Sequence, residues 1–154
     1  MNELQIGDQM PDFKGFDQDG QLISSDDYKG KKLVLFFYPK ASTPGCTAES
    51  CNFRDYYADW KEKGYHIIGL SADSIKRQKN FAEKNKLPYP LIADENKEIL
   101  NAFGVWGLKK NYGREYEGIF RSTFVMDKEG KIIHIVKKVK TKEASQQLYK
   151  DLNI

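Results

Sequence analysis

The sequence predicts an α/β domain in which a mixed central sheet carries helices on both faces. Three observations lead there: the apolar runs "KLVLFFY" (32–38) and "YHIIGLS" (65–71), a helix-patterned segment after each, and a hairpin pattern near the carboxyl end. A strand that is apolar on both sides belongs in the middle of a sheet, because only a covered strand can bury both of its faces.

The elements follow in chain order. "FKGFDQDGQLIS" (13–24) reads as a small hairpin turning at Asp19 and Gly20. After the first central strand, residues 47–62 place Phe53, Tyr56, Tyr57 and Trp60 at i, i+3, i+4 and i+7, one apolar helical face. The strand 65–71 and a more polar helix over 74–86 continue this into a βαβ unit. The prolines of "LPYPLIAD" (87–94) permit only a short or edge strand. Residues 96–104 are helical and close on Gly104. "GIFRSTFVMD" (118–127) and "KIIHIVKKV" (131–139) form two strands joined around "DKEG", and "KEASQQLYKDL" (142–152) is the last helix. The order βαβ, helix, ββα is the layout of a thioredoxin-like domain.

A chain of 154 residues supports one buried core, so residues 1–154 are expected to form a single domain. A hydrophobic fraction of 40% with 13% aromatics excludes a disordered chain. The net charge of +3 is mild, and "KKVKTK" (137–142) reads as a solvated strand end, so no nucleic-acid partner is expected. No apolar run approaches a membrane span and "MNELQIGDQMPDF" lacks a basic leader, so the expectation is a cytoplasmic protein without a membrane partner.

The chemistry concentrates in "FFYPKASTPGCTAESCNFRD" (36–55), which holds both cysteines, Cys46 and Cys51. Thr43 suits an N-cap and Pro44 the first helical position, which puts Gly45 and Cys46 in a first turn whose N–H groups lack intrahelical partners. Those donors and the helix dipole favour a thiolate, so Cys46 is a candidate nucleophile; a small buried side chain at a strand-to-helix junction is the plainer alternative. Cys51 lies five residues on, about 8.5 Å away between Cα atoms along an ideal helix. A disulfide requires less than about 7 Å, so pairing demands that the helix unwind. On a helical wheel Cys46 shares a face with Phe53 and Trp60, and Cys51 with Asp55, Ala58 and Glu62.

Other cysteine chemistries fit less well. The spacing is C-x4-C rather than C-x-x-C, Asn52 stands where a phosphatase loop needs arginine, and His66 and His134 sit in strand-like runs without zinc-site spacing. A Cys–His hydrolase stays open in principle. Arg121 interrupts an otherwise apolar strand; it can face a thiolate and an oxygen-rich substrate, or pair with a carboxylate such as Glu49, and both can hold together.

Taken together, "PKASTPGC" resembles the P-x-x-x-T-x-x-C motif of peroxiredoxins, "TPGCTAESCNFRD" resembles the bacterioferritin comigratory protein (peroxiredoxin Q) branch, and "FGVWG" through "YEGIFRSTFVMD" is similar to that branch's second block. The resemblance implies a peroxidatic Cys46 that becomes a sulfenic acid, a resolving Cys51 that forms an intramolecular disulfide with it, and reduction by thioredoxin or a similar dithiol protein. It also implies that the Thr43 hydroxyl and Arg121 contact thiolate and peroxide, that Pro39 shields the pocket, and that the Gly45 and Cys46 N–H groups stabilise negative charge. The substrate is then a hydroperoxide, no metal or organic cofactor is needed, and a monomer suffices. Ala41, Ser42 and Leu108 depart from the usual branch residues, which bears on pocket polarity and partner choice. The competing class is a non-enzymatic thioredoxin-like redox latch or holdase, which would show no turnover.

Overall fold

The computed structural model describes residues 3–154. Its main sheet has seven strands in the order β2-β1-β5-β4-β3-β8-β9. At its centre are β3 (Lys32–Phe37) and β4 (Tyr65–Ser71), the two apolar runs, paired in parallel. The hairpin of β1 (Lys14–Phe16) and β2 (Leu22–Ser24) joins one edge through β5 (Leu91–Ala93). On the other side β8 (Ser122–Met126) runs antiparallel to β3, followed by β9 (Ile132–Val136). The sheet is therefore mixed, as the sequence predicts.

Helices cover both faces. On one face α1 (Pro44–Asp55), α2 (Tyr57–Glu62), α3 (Ile75–Asn85) and α5 (Ala144–Leu152) enclose a core that includes Phe36, Tyr38, Phe53, Trp60, Phe81 and Tyr89. On the other, α4 (Glu98–Ala102) helps bury Phe37, Phe103, Phe124 and Ile132. Alternate residues of β3 feed the two cores, which is the period of a strand buried on both sides.

Three boundaries differ from the sequence reading. The helix expected over 47–62 breaks at Tyr56, whose φ of −101° and ψ of 8° leave the helical range, yet Phe53 and Trp60 still reach the same core. The strand expected over 118–127 is two strands, β7 (Arg114–Ile119) and β8, with Phe120 and Arg121 at the corner between them. β7 pairs with β6 (Trp106–Asn111) in a separate two-stranded hairpin that the sequence reading did not identify. Its strands are largely exposed and offer little apolar alternation, so the remaining signal is the turn itself, where Tyr112 and Gly113 both take positive φ.

The register of β3 positions the chemistry. Phe37 lies opposite Ser122 of β8 and beside Leu70 of β4, so the residue before Ser122 hangs over the turn that leaves β3. That residue is Arg121, and the turn leads into α1.

Candidate active site

Cys46 occupies the first turn of α1, fully buried, with Pro44 at the start of the helix. Thr43 has the extended backbone of an N-cap, but its hydroxyl donates to the Lys40 carbonyl at 2.8 Å and caps no helical N–H. The loop leading there is held from below: Ala41 N donates to Asp73 Oδ2 at 2.7 Å, and the same carboxylate oxygen accepts from Ser71 Oγ at 2.7 Å. Gln78 then donates to Ser71 Oγ and accepts from the buried Tyr38 hydroxyl. This network fixes a loop in which Ser42 sits at φ 67°, a region a non-glycine residue enters only when its neighbours impose it. Nothing local in the sequence marks Asp73 for this role; it follows β4 at the same end of the sheet as Cys46.

Arg121 reaches across from the β7–β8 corner. Its Nη2 donates to Cys46 Sγ at 3.2 Å, and its Nη1 donates to Glu49 Oε1 at 2.7 Å. The arginine thus faces the Cys46 sulfur and pairs with Glu49 at the same time. Gly45 lies under the guanidinium: a Cβ there would stand 3.3 Å from Nη2, so a larger residue would crowd the approach. Burial works against the Arg121 charge, but Glu49 and Cys46 more than offset it and raise the guanidinium above its ordinary value.

Glu49 is wholly buried, and its Oε2 has no hydrogen-bond partner among the described residues. Burial pushes its carboxyl up to about 7 despite the opposing pull of Arg121. One cation thus faces both the Cys46 sulfur and the Glu49 carboxyl, and a proton held by Glu49 leaves more of the arginine's field to the sulfur.

Pro39 is half-buried and lines a cleft of about 300 Å³ with Lys40, Asp73, Trp106, Tyr116 and Ile119. Cys51 is partly exposed on the far side of α1, and both cysteines are free thiols on one continuous helix. The structure therefore gathers Cys46, Gly45 and Arg121 around one sulfur. It leaves the Thr43 hydroxyl turned to Lys40 and Cys51 apart. His66 stacks edge-on against Tyr28 and His134 bonds Asp151, so neither joins the site. Among the described residues no cluster of side chains suits a metal ion, and no helix is long and apolar enough to cross a membrane.

Comparison with known proteins decides the family. Residues 6–135 match the AhpC/TSA family. The chain belongs to that family. A peroxiredoxin Bcp of Bacillus subtilis is 47% identical over 140 residues, covering 91% of this chain and 89% of its own. Xylella fastidiosa PrxQ, solved as a cysteine-to-serine mutant, superposes with a TM-score of 0.91 at 27% identity, covering 99% of this chain and 98% of its own. The bacterioferritin comigratory protein of Xanthomonas campestris, solved as trapped intermediate and ligand complexes that concern its alkyl peroxide reduction, is 33% identical with a TM-score of 0.85. It covers 92% of this chain and 90% of its own. The protein is accordingly a thiol peroxidase of the Bcp type, with the thioredoxin-like fold of these relatives.

Proposed function

We propose that Cys46 is the peroxidatic cysteine, that Cys51 resolves it, and that a thioredoxin-like dithiol protein recycles the enzyme. The observation that carries this reading is the Arg121 fork, which joins Cys46 Sγ to the buried Glu49 at the start of α1. The guanidinium and the free first-turn N–H groups favour a thiolate that attacks the O–O bond of a hydroperoxide. The sulfur gains one oxygen as a sulfenic acid, and water or an alcohol leaves. Arg121 and the Gly45 and Cys46 N–H groups face the charge that develops on the oxygens. Thr43 serves once its hydroxyl turns from the Lys40 carbonyl, and Pro39 shields the site from the cleft side.

Cys51 then attacks the sulfenic acid, which requires α1 to unwind because the helix holds the two thiols apart. An internal resolving thiol makes a monomer sufficient, and a reducing compartment such as the cytoplasm supplies the dithiol. The test is hydrogen peroxide consumption coupled to a thioredoxin system, with Cys46→Ser and Cys51→Ser beside the wild type. Activity should vanish in Cys46→Ser, and Cys51→Ser should accumulate a sulfenic acid that a dimedone probe captures. Unchanged turnover in Cys46→Ser would sink the assignment.

A further inference from the structure

Cys51 is parked against the carboxyl end of α3. Its Sγ donates to Asn85 Oδ1 at 3.7 Å. The Asn85 amide is oriented from its other end, since Nδ2 donates to the Phe81 carbonyl at 3.0 Å, which leaves the oxygen facing the thiol. The Asn85 backbone carbonyl in turn accepts from Arg54 Nη1 at 2.8 Å, so the turn of α1 that carries Cys51 meets this residue twice. Asn85 stands on a fixed platform: it is the last residue of α3, Lys86 after it is left-handed at φ 52°, and Leu87 N closes back onto the Ala82 carbonyl.

The neighbouring residues set what can move. Asn52 ties α1 to the start of α5: its Nδ2 donates to Lys142 O at 3.0 Å and Gln146 Oε1 at 2.9 Å, and its Oδ1 accepts from Ser145 N at 2.7 Å. Unwinding from the amino end of α1 therefore meets a fixed point one residue past Cys51. For Cys51 to reach Cys46, the segment 44–51 must open while its last residue leaves Asn85.

We propose that Asn85 is a positioning residue for the resolving step, a catch that holds the Cys51 thiol away from Cys46 and sets how fast the disulfide forms. The inference rests on the resolving role of Cys51 given above. In that step the Cys51 sulfur bonds to the Cys46 sulfur, the S–O bond of the sulfenic acid breaks, and the hydroxyl leaves as water with the thiol's proton. The competing step is attack by a second hydroperoxide, which adds an oxygen to the sulfenic acid and releases water or an alcohol. A tighter catch favours the second outcome, so Asn85 sets the sensitivity to overoxidation.

The experiment follows wild type, Asn85→Ala and Asn85→Asp after one equivalent of hydrogen peroxide, with rapid alkylation and mass spectrometry of the 46–51 peptide. Asn85→Ala should form the disulfide about three- to tenfold faster, the change expected for losing a hydrogen bond or two. Oxidation of Cys46 by the first equivalent of peroxide should stay at the wild-type rate, and the variant should yield less sulfinic acid in excess peroxide. Asn85→Asp keeps an acceptor for the thiol but loses the Nδ2 donor to the Phe81 carbonyl, so it should fall between wild type and Asn85→Ala. A general loosening is told apart by hydrogen exchange: residues 44–51 should open more readily while 75–82 keep their protection. Arg54→Gln removes the second contact and should act in the same direction, which covers the case of a misfolded Asn85→Ala. Disulfide formation at the wild-type rate or slower, or equal loosening of 75–82, overturns the role of Asn85 and leaves Cys51 as resolving cysteine. Absence of a Cys46–Cys51 disulfide in the wild type overturns both.

Discussion

The two cysteines share one helix and have opposite surroundings. Cys46 is fully buried and held by a charged group, the Arg121 guanidinium that also pairs with Glu49. Cys51 is partly exposed and held by a neutral amide at 3.7 Å. The difference lies in what oxidation does to each. Under the proposed roles, a Cys46 that reacts as a thiolate loses its charge on becoming a sulfenic acid, and its attraction to Arg121 weakens as a direct result of the chemistry. The neutral contact at Cys51 does not respond to that change, so it still holds the thiol after Cys46 has reacted.

The largest effect is expected from removing the cation beside Cys46. Arg121→Ala should lower the second-order rate of peroxide reduction by about a hundred- to a thousandfold, the range seen when one donor to developing charge is deleted. Stopped-flow peroxide consumption measures it. Arg121→Lys should recover only part of the loss, since an ammonium lacks the planar fork that reaches Sγ and Glu49 together.

Glu49 sharpens the same contrast through pH. Its carboxyl is raised from 4.5 to about 7, so folding favours the protonated form. The stability it contributes is complete below about 4.5 and is lost as pH rises through about 7. Urea unfolding of wild type against Glu49→Gln should show the wild type losing ground across that window, by on the order of a few kcal/mol in total. A difference that is flat with pH would mean that Glu49 is ionised throughout.

Asn52 is a smaller probe, because it lies beyond both thiols. Asn52→Ala should cost about 1–3 kcal/mol by leaving the Ser145 N–H at the start of α5 without its acceptor. It should also let the opening of α1 spread past residue 51, which chemical denaturation and hydrogen exchange would register separately.

Much of this was legible in the sequence, for reasons specific to each part. The buried strands β3 and β4 announce themselves as continuous apolar runs, and the place of Cys46 in the first turn of α1 follows from a Thr-Pro-Gly-Cys helix start. Arg121 stood out because an arginine has no place in an apolar strand; its corner position between β7 and β8 depends on the β6–β7 hairpin, whose exposed strands carry little periodic signal. Asp73, Asn52 and Asn85 were not legible. Each is a polar residue in a polar neighbourhood of the sequence, and each acts on a segment more than thirty residues away or, for Asn52, on α5 at the opposite end of the chain. Only the register of the sheet and the packing of α1 against α3 and α5 bring those partners together.

In the proposed cycle, resolution needs local unwinding of α1 that stops at Asn52. Hydrogen exchange read by mass spectrometry on the reduced and the peroxide-oxidised protein measures that unwinding. Residues 44–51 should lose protection on oxidation while 53–60 keep theirs, because Phe53 and Trp60 stay in the core. Equal protection of 44–51 in both states, with the Cys46–Cys51 disulfide formed, would contradict it.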